Sequence, residues 1–156
     1  MHDKQLMLRA IELAREGVES NEGGPFGCVI ARDGRIVGEG GNRVTSTNDP
    51  TAHAEVVAIR DACRNLNSFQ LDGCIIYTSC EPCPMCLGAI LWARLDRIHY
   101  ANTHLDAAAI GFDDERLYRE IAKPIEAREV PMRRLLAAEA LEVFEAWRRK
   151  PDKVPY

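Results

Sequence analysis

An imidazole, a carboxylate and two thiols stand at spacings that could do chemistry. They are His53 and Glu55 in His53-Ala54-Glu55, and Cys83 and Cys86 in Pro82-Cys83-Pro84-Met85-Cys86. Zinc takes His nitrogen and Cys sulfur in tetrahedral geometry, and structural zinc sites close all four positions with protein groups. His53, Cys83 and Cys86 supply only three ligands. The fourth position is then left to water, and Glu55, not needed as a ligand, could move that water's protons. The set predicts a hydrolytic zinc site rather than a structural staple. Each half is ordinary alone: Cys-x-x-Cys also occurs as a redox pair or as core cysteines, and a buried His beside an acid is common. Cys80 is close in sequence, but a fourth thiolate would close the site, so it is read as structural. The competing reading is a non-catalytic zinc module with Cys80 or His104 as fourth ligand, which would have no use for Glu55.

These residues need elements to position them. The pattern predicts helices from about Ala52 to Leu66 and from about Pro84 to Ala93, so each ligand pair falls in the first turn of a helix that follows a loop. Free backbone N–H groups and the positive end of the dipole favour anions there, thiolates included. Pro84 suits a first helical turn. The longer helix carries Val56, Val57, Ile59, Cys63 and Leu66 on more than one face and should be largely buried. Upstream, Leu6, Ala10, Leu13, Ala14 and Val18 mark an amphipathic helix over 4–19, with Asp3 as its cap. Phe26 to Ala31 and Ile36 to Glu39 read as strands around an Asp33-Gly34 turn. Cys74 to Tyr77 is a buried strand and Arg97 to Ala101 the next. Between 102 and 125 a single short helix is expected, Glu115 to Ile121. Val130 to Arg134 reads as a further strand, and Leu136, Ala140, Val143, Phe144 and Trp147 mark a closing helix. Strands alternating with helices, without repeat or linker, predict one layered α/β domain over 1–156.

The formal charge of −4, from 20 basic and 24 acidic residues, argues against a nucleic-acid partner, which needs a basic face. It suits a small neutral substrate. No apolar run approaches the about 20 residues of a membrane helix. The start, Met1-His2-Asp3-Lys4-Gln5, lacks the layout of a signal peptide, so the six cysteines read as reduced thiols and metal ligands of a cytoplasmic protein.

The His/Glu and Cys/Cys pairs match the zinc nucleobase deaminase signature, and the match extends further. Gly24-Pro25-Phe26-Gly27, Thr47-Asn48-Asp49-Pro50-Thr51-Ala52-His53-Ala54-Glu55, Thr78-Ser79-Cys80-Glu81-Pro82-Cys83-Pro84-Met85-Cys86 and Ala109-Ile110-Gly111-Phe112-Asp113-Asp114 resemble the bacterial guanine deaminases of the cytidine deaminase superfamily. The resemblance covers nearly the whole chain, to the terminal Tyr. It implies a three-layer α/β/α sandwich around a five-stranded mixed sheet. It also implies a homodimer that exchanges its C-terminal segments. The implied reaction is hydrolysis of guanine to xanthine and ammonia, as in purine catabolism. One zinc ion per subunit would be held by His53, Cys83 and Cys86, with Glu55 shuttling protons and Asp114 joining it in catalysis. Asn42 would hydrogen-bond the purine and Phe26 would contact its ring. Ala54 and Trp92 would help line the pocket, and Tyr156 would reach the partner's site. A carboxylate at Asp114 suits guanine, whose N1–H and exocyclic amine are adjacent donors; adenine presents an acceptor at N1. Asp113 is the fallback for that role. On residue type alone, Phe26 and Trp92 also fit a core and Asp113 to Glu115 a solvated acidic run. Parts of the first three motifs are shared with tRNA adenosine deaminases. That activity, or deamination of cytosine or an aminotriazine, is the alternative.

Overall fold

The structure is a computed structural model and describes residues 2–156. Strands β1 (Gly27–Arg32) and β2 (Arg35–Gly41) form an antiparallel hairpin through Asp33 and Gly34, at φ 51° and 72°. Positive φ at both turn residues is the type I′ geometry, whose twist suits the flanking strands. Strand β3 (Cys74–Cys80) pairs antiparallel with β1, and β4 (Arg97–Asn102) pairs parallel with β3. The mixed sheet thus has the order β2-β1-β3-β4.

Helix α1 (Asp3–Glu19) covers one face. Its Leu6 and Ala10 pack on Val29 and Ala31 of β1 and on Tyr77 of β3. A short helix α2 (Val44–Thr47) lies in the loop after β2, and the other face carries α3 (Ala54–Leu66) and α4 (Pro84–Trp92). Ala54, Ala58 and Ala62 of α3 and Ile90 of α4 cluster with Cys28, Ile30, Cys74 and Ile76. Period-two alternation along β1 therefore feeds two cores, one per face, and gives the expected three layers.

Alanines rather than valines meet the sheet because α3 lies very close to β2. A Cβ at Gly40 would stand 2.4 Å from the Ala54 carbonyl oxygen, and one at Gly38 would stand 2.6 Å from that of Ala58. Val56, Val57 and Ile59, expected in the core, are pushed to half-buried positions.

The chain divides into two compact units, one ending at Leu117 and the other running Tyr118–Tyr156. The first continues through α5 (His104–Ala109), and α6 (Asp114–Ala122) contains the division. The second holds a 3₁₀ turn (Ile125–Ala127) and α7 (Ala137–Arg149), and none of its residues is buried.

Several expectations need correction. The sheet has four strands among the described residues, not five. Residues 130–134 form no ladder; Pro131 lacks a backbone donor, and nothing in the second unit offers this stretch a strand partner. Two helices, not one, occupy 102–125. His2, not Asp3, is the N-cap of α1, with its N–H donating to Gln5 Oε1 at 3.0 Å. The Asp3 carboxylate instead accepts the Tyr77 hydroxyl at 2.7 Å. Among the described residues, no helix is long and apolar enough to cross a membrane.

Candidate metal centre and active site

Two helix starts face each other on one side of the sheet. His53 is the N-cap of α3 and Cys83 the N-cap of α4, both in extended backbone (ψ 154° and 167°), and neither makes a side-chain cap bond. Glu55 and Cys86 follow in the first turns. The His53 Nδ1 lies 3.6 Å from Cys83 Sγ and 3.5 Å from Cys86 Sγ. Ligands about 2.3 Å (sulfur) and 2.0–2.1 Å (nitrogen) from one tetrahedral zinc stand about 3.5 Å apart. The three donor atoms, all within 4.8 Å of one another, thus fit one zinc ion without rearrangement.

The two rival fourth ligands are engaged elsewhere. Cys80 Sγ donates to the Thr103 carbonyl at 3.6 Å, and burial pushes its thiol up to about 11. His104 Nδ1 and its backbone N–H both meet Glu81 Oε2, at 2.7 and 2.8 Å. That carboxylate ties the start of α5 to the loop before Cys83.

Without metal the two thiols are driven in opposite directions. The neighbouring Cys86 and, to a lesser degree, His53 hold the Cys83 thiol well below its usual range, while Cys83 and burial push Cys86 up. The hydrogen bond to Cys83 in turn raises His53. Metal binding requires both thiols to be deprotonated. Glu55 is buried, and desolvation raises its carboxyl above the usual range. Its Oε2 lies 3.4 Å from Cys86 Sγ and its Oε1 3.3 Å from the hydroxyl of Thr78.

A cavity of about 460 Å³ opens beside this cluster, lined by Phe26, Asn42, His53, Glu55, Cys80, Glu81, Cys83, Phe112 and Asp114, among others. All of it lies in the first unit. Asn42 is buried, and its Oδ1 accepts from the backbone N–H of Gly24 and of Val44, each at 3.2 Å. The amide is thereby oriented, leaving its NH₂ as the group available to a ligand. Gly23 permits this: a Cβ there would stand 2.1 Å from the Asn42 carbonyl oxygen. Phe26 meets Phe112 edge-to-face at 4.9 Å. Burial raises the Asp114 carboxyl as well. Asp113, the fallback, instead accepts the Arg116 N–H at 3.2 Å and lies off the cavity wall.

The structure thus brings Phe26, Asn42, His53, Glu55, Cys83 and Asp114 to one cavity, with Cys86 directly behind it. Ala54 is fully buried between His53 and Glu55, in the core rather than on the wall. Trp92 does not join them: it ends α4 and is 69% exposed. Tyr156 is exposed at the end of the second unit. Sequence reasoning missed Thr78, Glu81 and Phe112 as site residues. Their placement within quoted motifs was the one hint at all three.

Comparison with known proteins agrees with this geometry. The model of the cytidine and deoxycytidylate deaminase zinc-binding region matches residues 1–102. The chain is 55% identical to guanine deaminase of Bacillus subtilis over the whole of both chains. It is 34% identical to the tRNA-specific adenosine deaminase of Haemophilus influenzae over 97% of this chain and 88% of that one. The X-ray structure of the Bacillus subtilis guanine deaminase superposes with a TM-score of 0.97, covering 100% of this chain and 99% of that chain. A three-ligand zinc pocket at paired helix starts, on this sheet and with these relatives, places the chain in the cytidine and deoxycytidylate deaminase zinc-binding family.

Proposed function

We propose that this chain hydrolyses guanine to xanthine and ammonia. The observation that carries the reading is the Asp114 carboxylate on the same cavity wall as Glu55 and the metal-binding His53 and Cys83. The full-length likeness to a guanine deaminase supports it. Guanine presents N1–H and the exocyclic amine side by side, and Asp114 can accept from both. Adenine would set a lone pair against that carboxylate. The Asn42 NH₂ donates to a purine acceptor, and Phe26 contacts the ring.

His53, Cys83 and Cys86 would hold the zinc, which would supply Lewis acidity that eases loss of a proton from water near neutral pH. Glu55 takes the proton released as the water oxygen bonds to C2. It passes that proton to N3, then takes the proton of the new C2 hydroxyl and delivers it to the amine, so that the C2 carbonyl forms as the C–N bond breaks and ammonia leaves. Burial raises the Glu55 carboxyl above the usual carboxylate range, the direction that favours accepting a proton from water. Asp114, next to the amine, orients it as the C–N bond breaks.

The active form, on this reading, is a homodimer of a single domain spanning 1–156, with C-terminal segments exchanged. Helix α7 supports it, since Leu141, Val143, Phe144 and Trp147 are all exposed. An apolar helix face of that size calls for a cover. Exchange would also take Tyr156 to the partner's cavity, so removing 154–156 should lower turnover; an unchanged rate would rule the exchange out.

The test of the substrate is ammonia release from guanine, adenine, cytosine, their nucleosides and small aminotriazines, with and without chelator. Guanine should be preferred. Glu55→Gln should keep stoichiometric zinc and lose at least about a hundredfold in kcat. Turnover of adenine but not guanine would favour the tRNA adenosine deaminase reading. Near-normal rates in Glu55→Gln would sink the mechanism.

A further inference from the structure

Glu55 must present one carboxylate oxygen at a constant angle through two proton transfers, so what holds the other oxygen matters. Oε1 has one side-chain contact, the hydroxyl of Thr78 at 3.3 Å. Thr78 sits in β3, fully buried, and its backbone is fixed from both sides: it pairs with Cys28 of β1 and with Tyr100 of β4. A β-branched side chain in a strand is also stiff at χ1. Its Oγ1 is therefore a fixed post rather than a mobile donor. The same hydroxyl can donate instead to the Cys80 carbonyl at 3.0 Å, so its one proton has two acceptors, and an ionised Glu55 is the stronger of them.

Oε2 is the oxygen next to Cys86 Sγ, at 3.4 Å. A metal-ligating cysteine has lost its thiol proton, so in the zinc-loaded protein Cys86 cannot donate to Glu55. Among the described residues, Thr78 is then the one side-chain donor in contact with the carboxylate. Hydrogen bonds to an ionised acceptor in a low-dielectric interior are the strong ones. Resting on the deaminase reading above, we infer that Thr78 is a positioning residue: its hydroxyl anchors Oε1 and leaves Oε2, on the metal side, to carry the proton. Isosteric removal of that hydroxyl should slow proton transfer without weakening the binding of substrate or zinc.

The experiment compares Thr78→Val, of nearly the same shape, with Thr78→Ser, which keeps the hydroxyl. Thr78→Val should lose about tenfold to a hundredfold in kcat, from the loss of a hydrogen bond to a charged group. KM for guanine should stay within about twofold and zinc at one per chain, because no group touching either is altered. Thr78→Ser should recover most of the rate. The inference is overturned if Thr78→Val keeps kcat within twofold of the parent, or if Thr78→Ser is no better than Thr78→Val. It is also overturned if the rate falls only together with zinc content, which would assign Thr78 to the Cys80 carbonyl and the zinc loop. Should Thr78→Val fail to fold, Thr78→Ala carries the same comparison. Failure of the parent chain to release ammonia from guanine sinks the substrate reading alone. The same variants are then compared on whichever amine it does turn over.

Discussion

Gly40 and Gly41 are neighbours on β2 with opposite obligations, and alanine at each separates them. A Cβ at Gly40 points at α3, where it would meet the Ala54 carbonyl oxygen at 2.4 Å, the Ala58 nitrogen at 2.6 Å and the Val57 Cβ at 3.0 Å. Ordinary Cβ contacts begin near 3.4 Å, so α3 must recede by about 1 Å, and two of the obstructing atoms are backbone, which cannot turn aside. Overpacking of this kind costs about 1–3 kcal/mol. The shift falls on the first turn of α3, which carries His53 and Glu55. A misplacement of about 1 Å at reacting groups can cost about a hundredfold in rate. A Cβ at Gly41 points to the other face and finds only the Leu13 and Phe26 carbonyl oxygens, at 3.6 and 4.0 Å. Gly40→Ala should therefore lower the thermal midpoint, weaken zinc binding and reduce kcat about a hundredfold, while Gly41→Ala should stay close to the parent on all three. Differential scanning calorimetry, metal titration and the ammonia assay read these out. Equal damage in both variants, or a Gly40→Ala chain with parental zinc affinity and midpoint, would refute the argument that close sheet–helix approach aims the site.

Two further outcomes follow from the same geometry. Asp114→Asn places an NH₂ donor where guanine also donates; it should cost more than about tenfold in kcat/KM for guanine while leaving the thermal midpoint nearly unchanged, and unaltered guanine kinetics would contradict its assignment. Burial, with a smaller contribution from Asp3, pushes the Tyr77 hydroxyl up from 10.0 to about 12. Below pH 10 both folded and unfolded chains hold that proton. Between about pH 10 and 12 only the folded chain does, so this raised group's contribution is lost as pH rises, by up to roughly 2–3 kcal/mol. Tyr77→Phe should be less stable at neutral pH yet lose less between pH 9 and 11.5 in urea unfolding; identical pH dependence would refute it.

Where the sequence was informative, residue type and local spacing carried the signal. Asp33-Gly34 specifies a two-residue hairpin by its φ requirements, and Cys83 and Cys86 specify a shared ion by spacing. What local pattern could not reveal shares another cause. Helix α4 is apolar nearly all round, so its pattern could not say that Ile90 turns inward while Leu91 and Trp92 face out. A strand needs a neighbour as well as a propensity, and 130–134 offers the second without the first. Helix α5 was missed because its capping box ends in Asp rather than Glu or Gln: Thr103 accepts from the Asp106 N–H while Asp106 accepts from Thr103. Thr78 opened a quoted motif but drew no role, because threonine is an ordinary strand residue. Its meaning lies in the other layer, 23 positions away in sequence at Glu55.

The helix starts themselves carry the same point. Ser, Thr, Asp or Asn at an N-cap stabilises a helix by about 1 kcal/mol over residues that cannot accept the first free N–H. Both α3 and α4 forgo that, having His53 and Cys83 at the cap with no side-chain cap bond. A helix-start rule applied alone would score both positions poorly. The cap is nevertheless the one place on each helix where a side chain can leave the helix axis, turn toward the facing helix and lie in the positive field of the free N–H groups. A thiolate needs all three, and an imidazole needs the first two. Local preference therefore yields at the two positions where the metal's requirements take over. The stability given up there returns with zinc, through ligands already 3.5 and 3.6 Å apart and thiols that must be deprotonated for the ion to bind.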